Sequence, residues 1–225
     1  MILLAALAGA INAIAVFGYD GTTVSHVTGL ISKFAIAVGV GDFWGCLDFL
    51  WVILAFFLGA VVAGVTTGEK AFHLYRVYGC IILGIGALIL LPLVLPAKYA
   101  VWLFAFLMGL QNGMAVSFKG VLVRLTHMSG NLTDFGVYVG YALRGNRHER
   151  LVTGAVPAAL LFGFTAGGIG GILFERWLGK YVFVAISAAY VLLGLVYFHF
   201  VKTLAGTDKN GDSDEAAEHI WAELK

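Results

Sequence analysis

Six stretches of this chain approach the length and apolarity that a bilayer span requires, and no other feature limits the fold as strongly. A transmembrane helix needs about 20 mostly apolar residues. The stretches are Met1–Phe17, Leu47–Val65, Val77–Pro96, Tyr99–Val116, Leu151–Leu173 and Tyr181–Val201. Apolar residues make up 60% of the chain and charged residues 12%, against about 45–50% and about 25% in soluble domains. The sequence therefore predicts an all-α, polytopic membrane helix bundle.

The first stretch is interpreted as a retained span rather than a signal peptide. No basic residue precedes its apolar run, and no small-residue cleavage site follows it. The two cysteines, Cys46 and Cys80, lie at the edge of or inside apolar runs, so a disulfide framework is not indicated.

The chain also matches itself at an offset of about one hundred residues, a pattern that indicates an internal repeat. The paired segments are AGAINAIAV at Ala8–Val16 with MGLQNGMAV at Met108–Val116, and SHVTGLISKFAIAVG at Ser25–Gly39 with THMSGNLTDFGVYVG at Thr126–Gly140. Further along, Gly59 and Gly64 align with Gly163 and Gly168. The sequence therefore predicts two homologous membrane repeats, residues 1–98 and 99–202, followed by a cytoplasmic acidic tail at 203–225.

The number of spans depends on the polar segments Ser25–Gly39 and Thr126–Gly140. Each offers about 15 residues rich in Gly, Ser and Thr, which is short for a span and resembles a re-entrant or broken helix. If both are re-entrant, there are six long spans and the two halves have inverted topologies. If both cross the bilayer, there are eight spans and the halves are parallel.

The distribution of basic residues favours six spans, because cytoplasmic loops collect Lys and Arg. In the eight-span topology Lys70, Arg76, Lys119 and Arg124 would move to the outer side. Both topologies keep the N-terminus, the Arg144–Arg150 loop and the acidic tail in the cytoplasm, which predicts a multi-pass membrane protein.

Polar side chains at membrane depth are the candidates for a solute site. The predicted substrate-binding residues are His26, Thr28, His127, Ser129, Asn131, Asn12, Asn112 and Gln111. A histidine titrates near neutrality and can relay protons or contact a polar solute. The structural alternative is that each imidazole fastens its segment by bonding a neighbouring carbonyl, and that the amides bond between helices.

Lys33 and Asp134 occupy equivalent positions in the two repeats and are predicted to couple ion movement. A charged side chain at the centre of a membrane helix costs roughly 2.5–3.5 kcal/mol on insertion scales. An ion pair near the axis that relates the two halves would offset part of that cost. We therefore expect Lys33 and Asp134 to approach each other.

Several other classes of site find no support. The acid-rich turn Gly206–Asp214 lacks the Gly and Glu that an EF-hand loop needs at its positions 6 and 12, and Asp212 with Glu215 forms a helix-capping pattern instead. The Arg144–Arg150 loop is too short to indicate nucleic-acid binding. No enzyme or nucleotide-binding motif occurs, so no metal, cofactor or enzymatic activity is predicted.

The twin signatures, SHVTG at Ser25–Gly29 and THMSGNLTD at Thr126–Asp134 with MGLQNG at Met108–Gly113, resemble the YoaK family of bacterial membrane proteins of unknown function. The resemblance runs from Leu4 to about Val201, and it implies a location in a bacterial inner (plasma) membrane. It implies a His-x-Thr-Gly motif in each half, matched here by His26, Thr28 and Gly29 and by His127, Ser129, Gly130 and Asn131. Ser129 replaces the expected Thr, and Leu30 stands where the first motif more often has Asn.

The favoured function is a small secondary transporter or permease with a polar midplane site at the interface of the repeats. Its partners would be the lipid bilayer and an unknown small solute, and a homo-oligomer is left open. The alternative is a non-transporting scaffold or sensor that acts through the tail helix at Asp212–Lys225. An intramembrane enzyme is permitted by the paired histidines and Asp134, but nothing requires it.

Overall fold

The computed structural model describes residues 1–19, 21–67, 76–114, 116–118, 121–145 and 147–207. The acidic tail beyond Thr207, with its predicted helix, and Lys70 and Lys119 lie outside these residues. The predicted all-α class is confirmed, since helices form almost all of the described chain. A short antiparallel hairpin is the one β element within it.

The described elements follow one another in this order: α1 Ile2–Gly18, α2 Val27–Val40, α3 Phe43–Thr67, α4 Arg76–Leu88, a 3-10 turn Leu91–Leu93, α5 Ala97–Gly113, β1 Val116–Phe118, β2 Val121–Val123, α6 Met128–Leu143, α7 Arg147–Leu178, a 3-10 turn Gly179–Tyr181 and α8 Val182–Thr207. Each of the six apolar stretches falls on a helix, although α4 ends at Leu88 and α5 at Gly113, before the predicted ends of their stretches at Pro96 and Val116. The polar segments form the helices α2 and α6.

Helices α1 and α7 form the most extensive contact of the fold, and they run parallel. Gly167 lies against Ala6, and Gly171, one turn later on α7, lies against Ala10, one turn later on α1. The absence of a side chain at these glycines lets the two backbones approach closely, as is common between helices in membranes.

Helices α3 and α5 form a second parallel pair of the same kind. Gly109 of α5 lies against Phe56, and Gly113, one turn later, lies against Ala63. Helix α8 also runs parallel to α5. The rings of Phe104 and Phe183 lie 5.4 Å apart, and about two turns further along both helices Gln111 meets Tyr190.

Two further pairs of long helices are antiparallel, α1 with α5 and α4 with α8. The amide of Gln111, near the end of α5, donates to the carbonyl of Leu4, near the beginning of α1, at 2.9 Å, so α5 is antiparallel to α1. Helix α4 is antiparallel to α8, since Leu83 lies against Gly194 and Gly86 against Tyr190. Helices α1, α4 and α7 therefore point one way, and α3, α5 and α8 point the other way.

The short helices α2 and α6 lie at the periphery and fold back on α3 and α7. Gly41, with φ of 75°, forms the tight turn between α2 and α3, a conformation that favours glycine. Tyr138 of α6 packs against Gly154 of α7. Each short helix is thus antiparallel to the long helix that follows it.

The predicted pairing of the glycines is wrong in register. Gly59 lies against the carbonyl of Phe106, and the glycine that makes the corresponding contact between α7 and α1 is Gly167, not Gly163. Gly64 faces open space. The corresponding contact therefore lies one helical turn later on α7 than the sequence alignment places it.

The surface of the described residues is rich in large apolar side chains, among them Trp44, Phe162 and Trp177. Two apolar helical stretches are long enough to cross a bilayer, Phe43–Thr67 and Thr153–Thr203, and the second runs through the turn between α7 and α8. Length and composition at these two stretches point to membrane association.

Candidate functional site

The chain that enters α2 turns back alongside α1 and is held there by one buried amide. Oδ1 of Asn12 accepts hydrogen bonds from the backbone N–H groups of Val24 and Ser25, both at 3.2 Å, and from the Ser25 hydroxyl at 2.9 Å. Since a helix rises about 1.5 Å per residue, Asn12 lies about 9 Å before the end of α1. Helix α2 therefore begins beside the middle of α1, not at its end.

His26 follows Ser25 and is the residue from which α2 begins. Its Nδ1 lies 3.2 Å from the Ser25 hydroxyl, and its half-buried ring meets the edge of Phe164 with centroids 6.3 Å apart. Phe164 also lies against Gly9 at the crossing of α1 and α7. His26 therefore sits beside the closest approach of these helices, where a shift of either helix would reach it.

The chain that follows α5 makes a similar arrangement with a different hydroxyl residue. Oδ1 of Asn112 accepts from the Thr126 N–H at 3.1 Å, and its amide group donates to the Thr126 hydroxyl. Both residues lie on either side of the β-hairpin, so the chain leaves α5, turns and returns to the level of Asn112. Helix α6 then begins from His127.

His127 is exposed, unlike His26, and its ring folds over Gly130. A Cβ at Gly130 would overlap that ring, so the exposed imidazole would have to turn away to admit a side chain there. Neither α2 nor α6 has a side-chain cap at its N-terminus. Of the first three N–H groups of each helix, that of Gly29 donates to the His26 carbonyl and that of Met128 to the Thr126 carbonyl, and the others keep donor capacity for a ligand.

The other predicted polar residues divide between these segments and the centre of the fold. Thr28 and Ser129 are exposed, and their carbonyls accept hydrogen bonds from Ser32 and Thr133 one turn later. Asn131 is buried, with a long 3.5 Å contact from its amide to the Arg124 carbonyl.

Gln111 forms a buried polar link among three helices. Its Nε2 donates to Leu4 of α1, and its Oε1 accepts from the Tyr190 hydroxyl at 2.6 Å. Tyr190 is fully buried on α8. Both groups of the amide are satisfied internally, and this supports the structural alternative for Gln111.

The expected ion pair between Lys33 and Asp134 is not formed. Both side chains are exposed, and among the described residues the one ion pair joins Lys98 to Asp48 at 2.7 Å. Lys33 instead lies over the ring of Phe49, with its Nζ 5.9 Å from the centroid. Lys33 and Asp134 each lie about 10 Å along the helix from its histidine. Because α2 and α6 point in opposite directions, the two charges lie further apart than the two histidines do.

Sequence reasoning missed Glu175, an acid on α7. Its Oε2 is buried without a hydrogen-bond partner, the one side-chain polar atom in that condition among the described residues. The sequence did offer a signal, because Glu175 directly follows the apolar run of α7. A charged pair there, Glu175 with Arg176, is also what the end of a membrane span looks like. Tyr190 gave no signal, because an aromatic residue in an apolar helix is typical of a core.

A family model described as "Protein of unknown function (DUF1275)" matches residues 1–197. Comparison with curated proteins and with solved structures gives no match. The match covers both signatures and both sets of helices, and it ends before the acidic tail.

Proposed function

Since the chain belongs to the DUF1275 family of proteins of unknown function, we propose from its helix arrangement that it is a small secondary transporter or permease in a bacterial inner membrane. The observation that carries this proposal is the pair of short helices that begin alongside long ones, each held by an asparagine of the long helix. Asn12 is buried near the middle of α1, and Asn112 is partly buried near the end of α5. Broken helices of this kind form the solute and ion sites of many transporters.

The proposed topology has six long spans and two re-entrant helices. Three long helices point in each direction, and α2 and α6 each return to the end at which α1 and α5, respectively, leave. Helix α1 is antiparallel to α5, and α4 is antiparallel to α8, which supports inverted halves. Parallel halves would require each of these pairs to point the same way.

The contacts between helices support an internal duplication. Gly9 of α1 lies against Phe164 of α7, and Gly109 of α5 lies against Phe56 of α3. Each half therefore sends its first helix to pack on the third helix of the other half. Such an exchange of equivalent contacts is what two inverted copies of one unit would make.

Aromatic side chains support the same placement in a bilayer. Trp44 at the beginning of α3 is 75% exposed, and Trp177 at the end of α7 is 79% exposed. Given the helix directions, both lie at the same end of the bundle, with Tyr181 between α7 and α8. Trp and Tyr concentrate at the membrane interface, where an apolar ring and a polar tip are both accommodated.

Labelling of introduced cysteines is expected to place the two short turns on opposite sides of the membrane. In six spans Asp42, between α2 and α3, faces outside, and Arg144, after α6, faces the cytoplasm. After Cys46 and Cys80 are replaced by alanine, an impermeant maleimide should label Asp42→Cys in intact cells and Arg144→Cys only after permeabilisation.

The paired variants serve as controls for each other, because each must react fully once the membrane is opened. Eight parallel spans would place both turns in the cytoplasm. Protection of both cysteines in intact cells would therefore contradict the inverted topology.

The solute site is proposed where α2 and α6 begin. His26, Thr28, His127, Ser129 and Asn131 would contact the solute. The uncapped N–H groups of both helices, together with the positive end of each helix dipole, favour a solute with an anionic or hydrogen-bond-accepting group. Asp134 and Lys33, on the same helices, remain the proposed coupling charges, each acting separately.

Uptake by the pure protein in liposomes tests the proposal. With a panel of radiolabelled amino acids, sugars and small carboxylates, at least one solute should accumulate above empty liposomes, and an imposed pH gradient should change the rate. His26→Ala should reduce this uptake at least about tenfold, a loss equivalent to about 1.4 kcal/mol. His199→Ala, an exposed histidine on α8, is the matched control and should keep full uptake. Absence of uptake for every solute in the panel would overturn the proposal.

A further inference from the structure

Glu175 lies one turn before the end of α7, on the side that packs against the end of α1. Its Oε1 is 3.0 Å from the place that a Cβ on Gly18 would occupy. Gly18 thus leaves room for the carboxyl group between the two helices. The next residue of α7, Arg176, is exposed, and residues i and i+1 of a helix do not face each other.

Glu175 is a half-buried residue, and an aromatic side chain lies near its carboxyl group. Tyr19 lies near Glu175, and its ring packs edge-on against the buried Phe104, with centroids 5.3 Å apart. Of the described elements that pack on this part of α7, Tyr19 is the titratable group that faces Glu175. Lys180, in the following turn, lies over the ring of Tyr181 instead.

A buried carboxylate oxygen without a donor carries a large desolvation penalty, and binding a proton removes most of it. An acid can therefore be kept neutral in an apolar site and still release its proton when its surroundings change. Gly18 and Tyr19 are also where the chain leaves α1 for the segment that carries His26. A change of charge at Glu175 would therefore act directly on the beginning of that segment.

We propose that Glu175 is a proton-binding site that exchanges its proton as the connection from α1 to α2 moves. This inference deepens the proposed transport function, since it identifies the proton as a coupling ion and α1 with α7 as its binding place. It differs from the expectation that Asp134 and Lys33 alone move charge.

Dicyclohexylcarbodiimide tests the inference on the full chain without any solute. The reagent adds the O–H of a protonated carboxyl group across its C=N bond, and the adduct rearranges to a stable N-acylurea. In liposomes of phosphatidylcholine and phosphatidylglycerol, peptide mass mapping should find the adduct on Glu175. Its rate of formation should fall at least tenfold between about pH 5 and about pH 9, a range that covers ionisation of solvated and buried glutamates.

Asp48 provides the matched acid, because it also lies on a long apolar helix but is exposed and paired with Lys98. Asp48→Asn should keep the full amount of adduct, and Glu175→Gln should lose it. No adduct on Glu175 of the unaltered protein at low pH, or a rate independent of pH, would overturn the inference, and neither measurement needs a variant to fold.

The two proposals can fail separately. If the carbodiimide adduct forms with the expected pH dependence but no solute is taken up, proton binding stands and the transport function fails. If uptake occurs and Glu175→Gln leaves its response to the pH gradient unchanged, the transport function stands and the role of Glu175 fails.

Discussion

Replacing Gly109 with alanine is expected to break the packing of α3 on α5, whereas replacing Gly64 on α3 should leave the protein intact. A Cβ at Gly109 would overlap the carbonyl oxygen of Phe56, which is backbone and cannot rotate away. Extra methylenes in a packed core cost about 1–3 kcal/mol even when side chains can adjust. Because the obstacle here is the backbone of a helix, we expect a loss of at least about 3 kcal/mol.

The stability of the purified protein in detergent measures this effect. One kcal/mol corresponds to about 2–4 °C of Tm in a chain of this size, so Gly109→Ala should lower the apparent Tm by at least about 6 °C and broaden the size-exclusion peak. Gly9→Ala should do the same, since its Cβ would overlap the carbonyl of Phe164.

Gly64→Ala is the matched control, because its Cβ would meet nothing within 4 Å. Alanine is favoured over glycine in a helix by about 0.5–1 kcal/mol, so this variant should be unchanged or slightly more stable. Equal Tm values for Gly109→Ala and Gly64→Ala would contradict the close backbone contact.

The positions of the long helices followed from the sequence because apolar length alone determines them. The polar segments were also located, and α2 and α6 begin directly after the predicted histidines. A hydrophobic stretch carries its own signal at every residue, so no knowledge of its neighbours is needed. The ends of α4 and α5 were less accurate. The apolar stretch of α4 runs on to Pro96, but the helix ends at Leu88, ahead of Pro92, which cannot donate a helical hydrogen bond. Apolar residues likewise continue past the end of α5 into the hairpin.

Contacts between helices were less predictable, because they depend on the direction of each helix and on its register against its neighbour. Lys33 and Asp134 align in sequence, but helices that leave in opposite directions carry aligned residues apart. Gln111 and Tyr190 meet because α5 and α8 run side by side. The sequence of neither helix indicates that the other is its neighbour. For Asn12, the hydrogen bonds to Val24 and Ser25 favour the structural alternative.

Replacing Asn12 or Asn112 with alanine is expected to release the segment that each one holds. Removal of Asn12 leaves two backbone N–H groups and a hydroxyl without their acceptor, and an unsatisfied buried group costs about 1–3 kcal/mol. The buried residue Val24 can report on the first segment after its replacement by cysteine in a chain without other cysteines. Asn12→Ala should accelerate its labelling by a permeant maleimide at least tenfold, because 1.4 kcal/mol changes an opening equilibrium by that factor.

Leu125, also buried, reports on the second segment in the same way. Asn112→Ala should accelerate labelling of Leu125→Cys at least tenfold. Asn131→Ala is the matched control, because this buried amide makes only the long 3.5 Å contact with Arg124. Its loss should change the rate less than about threefold, or about 0.7 kcal/mol.

Slow labelling in both variants, Asn12→Ala and Asn112→Ala, combined with lost uptake, would assign these amides to the solute path instead. Fast labelling with lost uptake would show that transport requires the two segments to be held. Asn12 binds Ser25 and Asn112 binds Thr126, the residues directly before His26 and His127, so these asparagines position the histidines at which α2 and α6 begin.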